Sequence, residues 1–315
     1  MKNYRPEIDG LRSLAIIPVL LFHAGFKFFS GGYIGVDIFF VISGYLITGI
    51  ILNEINENKF SLVHFYERRA RRILPILLFI IILSTLFSWF FLNMYAFRSF
   101  GESLIGVATF SSNFYFWLKS GYFSESTELM PLMHTWSLSV EEQFYIFFPF
   151  LILFINKYLK SNYIFVFISF IIISFFLSII LFDVDKNASF YFTPSRIWEL
   201  LFGSFIAVLP IKTIKINLIF RKLLSLSGLI LILFSVFYFD ENSVHPGSIT
   251  FLPVLGSSLI ILFANDETYT GKFLSNKFFS FVGLISYSLY LWHIPLYVFL
   301  KISFQSLDNN YFLFI

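Results

Sequence analysis

Arg12 and His23 stand where a charge and an imidazole are least expected. They fall in the run from Leu11 to Phe29, which is apolar enough and, at about twenty residues, long enough to cross a bilayer as one helix. Eleven positions at 100° each come to about 1100°, within roughly 20° of three full turns, so the two side chains share a face about 16 Å apart. A charge inside a bilayer costs at least about 2.5 to 3.5 kcal/mol on insertion scales, so both residues are expected to face protein or water. The plainer alternatives are an interfacial anchor for Arg12 and a packing histidine for His23. A short turn, Ser30-Gly31-Gly32, then leads into a second apolar run with Asp37 near its start. A hairpin of the two brings a carboxylate opposite the end that holds His23. That pairing would orient the imidazole and raise its pKa for proton transfer.

Further along, Arg68, Arg69, Arg71 and Arg72 crowd a segment that runs into the third apolar run. Four arginines there suit a topology anchor with headgroup contacts. Alternatively Arg69 and Arg72, at i and i+3, line one face and grip a phosphorylated ligand, since planar guanidinium matches phosphate. His134 and Glu141, seven apart, share nearly one face about 10 Å from each other, with Tyr145 one turn on. Arg196 and Glu199 at i and i+3 are expected to enter the bundle as an ion pair. Tyr290 and His293 share a face, and Pro295 is expected to free the Leu291 carbonyl and bend the helix there.

The elements that position these residues are helices in lipid. Of 315 residues, 57% are hydrophobic, 22% aromatic and only 13% charged, against about 25% charged in an ordinary soluble domain. The fold class is therefore all-α, a polytopic integral membrane bundle. Apolar segments lie near 11–29, 33–52, 73–92, 135–155, 162–182, 194–210, 221–239, 249–264 and 278–300, with a tenth beginning at Tyr311. The segment 99–118, interrupted by Gly101, Glu102 and Gly106, is ambiguous.

The basic stretches arbitrate. Lys2 and Arg5, Lys59 with the four arginines, Lys157 and Lys160, and Lys212, Lys215, Arg221 and Lys222 should all be cytoplasmic, and the acidic loop at Asp240 and Glu241 outside. That works only if 99–118 does not cross and is re-entrant or lies along the outer face. About ten transmembrane helices result, with a cytoplasmic N-terminus. The chain stops inside the tenth, so residues 1–315 are expected to be one membrane domain, incomplete at its C-terminus.

Zero cysteines remove disulfides, thiolate metal sites and a cysteine nucleophile. There is no P-loop, dinucleotide fingerprint or EF-hand pattern, no metal site is expected, and nothing points to nucleic acid.

The motifs together resemble the membrane acyltransferase-3 family, bacterial O-acyltransferases that modify O-antigen, peptidoglycan and exopolysaccharides. Glu7 to Ala15 with Arg12 and His23 is similar to the family's Arg, ten residues, His signature. Gly-Val-Asp37-Ile-Phe-Phe-Val-Ile-Ser-Gly is similar to its second-helix motif, Arg69-Ala-Arg-Arg72-Ile-Leu-Pro to its Arg-x-x-Arg motif, and Trp136 to Tyr145 to the block that follows. Arg196, Glu199 and Gly203, then Tyr290, His293 and Pro295, fall where the family has like residues. Some relatives carry an extracytoplasmic SGNH esterase-like domain that this sequence lacks.

The resemblance implies acyl-CoA, above all acetyl-CoA, as cytoplasmic donor and a cell-envelope glycan hydroxyl on the far side of the bacterial inner membrane as acceptor. A separate periplasmic acyl-handling protein is a further expected partner. In that reading Arg69, Arg72 and Arg12 hold the nucleotide phosphates, and the pantetheine arm threads toward His23. His23, oriented by Asp37, is the general base on the acceptor hydroxyl, or is itself acylated first; direct transfer is preferred. Glu141 or His134, on the outer side, activates the acceptor or orients His23. The competing class is a transporter or flippase for a lipid-linked sugar, which would show an inverted repeat and consume no acyl-CoA.

Overall fold

The structure is a computed structural model that describes residues 4–120, 130–159, 162–210, 216–240 and 243–303. Lys2, Lys160, Lys212, Lys215, Glu241 and the segment from Tyr311 lie outside the described residues.

Local sequence sets the helix starts, and α1 and α3 begin earlier than the apolar runs near 11 and 73. Pro6 opens α1 (Pro6–His23) at a position whose N–H has no helical partner anyway. After two single turns of tighter helix comes α2 (Gly35–Asn56). Ser61 caps α3 (Leu62–Phe91), accepting from the His64 N–H. The arginine-rich segment and the third apolar run are thus one helix of 30 residues, continuous through Pro75. The ambiguous stretch is two helices, α4 (Met94–Ala108) and α5 (Ser112–Lys119), broken where Phe110 takes a left-handed backbone. Gln143 Nε2 donates to the Phe110 carbonyl at 2.8 Å and ties that break to α6 (Thr135–Tyr158).

There follow α7 (Tyr163–Val184), α8 (Lys186–Tyr191), α9 (Thr193–Val208), α10 (Leu218–Tyr238) and α11 (Phe251–Phe263). Two short helices, α12 (Tyr269–Leu274) and α13 (Lys277–Leu284), precede α14 (Ser286–Ser303). Every regular element among the described residues is helical.

Among the described residues five helices are long and apolar enough to cross a membrane: α2 with the turn before it, α3, α6, α7 and α10. The α13–α14 pair makes a sixth if its 66° bend is taken within one span. Against the expected ten, α1 carries too many charges, α9 and α11 are 16 and 13 residues long, and the tenth segment is not described. The bend expected at Pro295 lies earlier. The segment breaks at Ile285, between α13 and α14, while α14 runs on through Pro295.

The core gathers in two clusters. One joins α2, α3, α6 and α9 around Phe40, Phe65, Phe144 and Leu200; the other joins α1, α2, α9, α10 and α11 around Leu11, Ile38, Trp198 and Ile261. The α2–α9 contact is the most extensive, and two glycines allow it. A Cβ on Gly44 would lie 1.8 Å from the Leu200 carbonyl oxygen, and one on Gly203 would lie 2.0 Å from that of Val41. That approach sets Asp37 on α2 against Arg196 on α9.

Gly44→Val should therefore cost about 1–3 kcal/mol or more through overpacking. Gly49→Ala, on the same helix with nothing within 4 Å of its added Cβ, should gain roughly 0.5–1 kcal/mol. Thermal midpoints of the two purified variants in detergent check the contrast.

Candidate active site: two adjoining cavities

Four histidine-bearing or acidic elements converge at one end of the bundle: the end of α1, the start of α2, the start of α6 and the loop after α10. His23, His134 and His245 line a cavity of ≈ 320 Å³ there, with Arg196, Tyr290, Trp136, Phe190, Tyr33 and Met133 among the other walls. A second cavity of ≈ 80 Å³ lies beside it and is lined by Arg12, Arg69, Arg72, Glu141, Tyr145 and Ser43. Val36 and Tyr290 belong to both linings and form the partition.

The helical repeat explains this division. Arg12 and His23, three turns apart on one face of α1, open into different but neighbouring cavities. On α3 the four arginines split by face. Arg68 and Arg71 are exposed and pair with Glu54 and Glu67, each at 2.7 Å. Arg69, partly buried, and Arg72, itself exposed, both line the cavity, and neither has a carboxylate at ion-pair distance among the described residues. The Nε of Arg69 is buried without a hydrogen-bond partner. Arg12 lies 3.7 Å from Asp9, a loose ion pair. With three guanidinium groups and one carboxylate in its lining, the smaller cavity is built for an anion.

That carboxylate is Glu141, and its position corrects an expectation. Glu141 lies in the arginine cavity, where Ser43 and Tyr145 both donate to its Oε1. Seven residues of α6 rise about 10 Å, so His134 and Glu141 sit in separate chambers, and Glu141 does not orient His23.

The second correction concerns Asp37. Its carboxylate accepts from Arg196 Nη2 at 2.6 Å and from His245 Nε2 at 2.9 Å. It is committed to α9 and to the loop after α10 instead of to His23. Arg196 and Asp37 are both fully buried, and Arg196 Nε lies 3.3 Å from Glu199 Oε1. The rings of Phe40, Trp136 and Phe190 stand 5.6–5.7 Å from the guanidinium, so it is boxed by aromatic faces.

His23 takes its orientation from its own helix. Its Nδ1 lies 2.9 Å from the Val19 carbonyl oxygen, which can only accept, so Nδ1 carries a proton, and in the neutral ring the lone pair is on Nε2. His293 shows the same pattern, with Nδ1 donating to the Tyr290 carbonyl at 2.5 Å. The imidazoles of His23, His293 and His134 form a chain with centroid separations of 5.1 and 5.3 Å. Burial pushes the His134 imidazole down to about 3, so it is neutral at physiological pH. It approaches the Leu291 carbonyl, which Pro295 leaves without its helical donor, at a geometry short of a hydrogen bond. The Tyr290 hydroxyl donates to the His134 carbonyl at 2.9 Å and lies 2.6 Å from Ser137 Oγ. Among the described residues no three metal-ligating side chains are grouped to hold a metal ion.

The family described as "Acyltransferase domain", type 3, matches residues 5–315. The chain belongs to the acyltransferase-3 family. It is 34% identical over 309 residues to a Staphylococcus aureus protein named "Putative O-acetyltransferase", covering 92% of this chain and 50% of that one. It is 32% identical to the peptidoglycan O-acetyltransferase OatA of Listeria monocytogenes, over 94% of this chain and 50% of that protein. To the O-acetyltransferase OatA of Staphylococcus aureus it is 32% identical over 95% of this chain and 51% of that protein. The acyltransferase-3 chain thus spans about half the length of the curated relatives it matches. No solved structure matches it.

His245 is the residue that sequence reasoning missed. It follows α10 in a loop with no helical periodicity, 208 positions from the carboxylate it binds. The signal that could have found it is scarcity. The chain has five histidines, and four of them, His134, His245, His293 and the exposed His23, meet here, while His64 lies apart on α3.

Arg196→Leu should strand the Asp37 charge and cost about 3–5 kcal/mol, the usual result of removing one partner of a buried pair. Arg68→Ala, at an exposed pair, should cost under about 1 kcal/mol. Thermal unfolding of both variants in detergent, beside the unmodified protein, measures the difference.

Proposed function

We propose that this protein transfers an acyl group, acetyl in the first instance, from acyl-CoA to a hydroxyl of a cell-envelope glycan across the membrane. The observation that carries the reading is the pair of cavities divided by Val36 and Tyr290, one rich in guanidinium and the other in imidazole. Membership of the acyltransferase-3 family supports it, and the relatives are named for acetyl transfer and not for transport.

In this reading the basic ends of the helices face the cytoplasm of a bacterial inner membrane, with the N-terminus inside. Arg69 and Arg72, with Arg12 above them, hold the CoA phosphates by charge-assisted hydrogen bonds. The pantetheine arm reaches past Tyr290 and Ser137, and its thioester meets the Nε2 lone pair of His23. The acceptor glycan enters the larger cavity from the other face. The name of the Listeria relative makes peptidoglycan the first acceptor to try. A separate periplasmic acyl-handling protein would complete delivery where the acceptor is out of reach.

The sequence left two roles open for His23, proton acceptor or acyl acceptor. The commitment of Asp37 to His245 favours the second, because the carboxylate that would prepare a general base is on the other imidazole.

Purified protein incubated with radiolabelled acetyl-CoA tests this. The unmodified chain should release CoA thiol and label soluble peptidoglycan fragments, and His23→Ala should do neither while remaining folded. Thiol release retained by His23→Ala would remove His23 from the chemistry. Arg69→Ala should raise the KM for acetyl-CoA about tenfold or more, since a hydrogen bond to a charged group is worth roughly 1.5–3 kcal/mol. Arg68→Ala should leave it unchanged.

A further inference from the structure

The larger cavity holds a second prepared imidazole that the reaction outlined above does not use. His245 is carried by the loop between α10 and α11, and its side chain is only 6% exposed. Asp37 can only accept, so the 2.9 Å contact fixes the His245 proton on Nε2 and the lone pair on Nδ1. That Nδ1 bonds to no described residue, and the ring lines the cavity shared with His23 and His134.

The ring is also held in place sideways. Tyr33 packs on it at 4.8 Å between centroids and Phe190 at 6.0 Å. The Tyr33 hydroxyl in turn donates to the Asp240 carbonyl at 3.1 Å and pins the same loop. An imidazole whose tautomer is set by a buried carboxylate, whose plane is fixed by aromatic neighbours and whose free nitrogen meets a cavity has the attributes of a general base. Burial holds the His245 imidazole below its ordinary pKa against the pull of Asp37, which keeps it neutral and able to accept.

We propose that His245, oriented by Asp37, is the catalytic base that deprotonates the acceptor hydroxyl, and that the aromatic and polar lining around it, Tyr33, Trp136, Phe190 and Ser243, is the subsite for the acceptor's pyranose ring. This rests on the acyl-transfer reading and names its acceptor side. The apolar C–H face of a sugar ring is matched by the aromatic walls and its hydroxyls by Ser243 and His245, which suits a polyhydroxylated acceptor better than an apolar alcohol.

The chemistry balances over two steps. First, His23 Nε2 bonds to the thioester carbonyl carbon, the C–S bond breaks with its electron pair on sulfur, and CoA leaves as thiolate. The acceptor oxygen then bonds to that carbon as its proton passes to His245 Nδ1, and the C–N bond breaks with its pair returning to His23. His245 gives the proton up to solvent, and the thiolate takes one on, so the net products are the ester and CoA thiol.

The test exploits an acceptor that needs no base. Hydroxylamine is a free amine near neutral pH and attacks acyl groups unaided. His245→Gln keeps an N–H toward Asp37 but has no basic nitrogen. It should lose about 10²-fold or more in labelled acetyl transfer to soluble peptidoglycan fragments, the usual contribution of general base catalysis. Thiol release in the presence of hydroxylamine should stay at the unmodified level, which also shows that the variant is folded. His245→Asn is the second variant should the first fail to fold, with the same expectation.

Sugar transfer undiminished in either variant overturns the role of His245. Equal loss with both acceptors in a variant of unchanged thermal midpoint overturns it too, because a merely structural residue would behave that way. An unmodified protein that releases no thiol counts against the donor reading and takes this proposal with it. Thiol release by the unmodified chain together with normal sugar transfer by His245→Gln counts against the proposal alone.

Discussion

A single buried ion pair, Asp37 with Arg196, ties this bundle together. Neither side chain has any exposure, and each belongs to a helix in the most extensive helix contact among the described residues. Two charges taken from water are tolerated when each is matched by the other. Here His245 takes the second carboxylate oxygen, Glu199 stands by the guanidinium, and three aromatic faces surround it. The glycines at 44 and 203 are the steric condition for this arrangement, since any side chain there would separate α2 from α9. The cavity end of the protein is consequently its most constrained part. The loop after α10 is fastened to α2 by an electrostatic bond instead of hanging free.

The charge types are segregated by the helical repeat. On α1 an arginine and a histidine share a face but open into different chambers, and on α6 His134 and Glu141 do the same. On α3 the i, i+3 spacing sets two arginines against paired glutamates and two at the cavity, Arg69 partly buried and Arg72 at its exposed edge. Guanidinium, which cannot lose its proton in a protein, therefore collects in one cavity. Imidazole, which can take and give one, collects at the other.

What the sequence made legible follows from periodicity. Arg12 and His23, Arg69 and Arg72, and Tyr290 and His293 were readable as shared faces because helix geometry relates neighbours within one element. The α3 helix was readable only in part: it begins after the Ser61 cap, eleven residues ahead of the apolar run at 73–92, and carries the arginines on the same helix. The partner of Asp37 was not, because that contact is tertiary. Proximity in a hairpin pointed to His23, whereas the α2–α9 packing delivered Arg196 and the α10–α11 loop delivered His245. The bend at Ile285 was masked by the proline farther along, which draws attention because it lacks a donor, although α14 continues through it.

The partition between the chambers is one side chain thick, made by Val36 and by Tyr290, whose hydroxyl is fastened to Ser137 and to the His134 backbone. A cell membrane stores energy as ion gradients, and an open aqueous column through any of its proteins would drain them. On the acyl-transfer reading, a thin, latched wall would let a slender acyl arm meet its target while denying water an unbroken file from face to face. Such a bundle would serve chemistry on both sides of the bilayer and still behave as an electrical insulator.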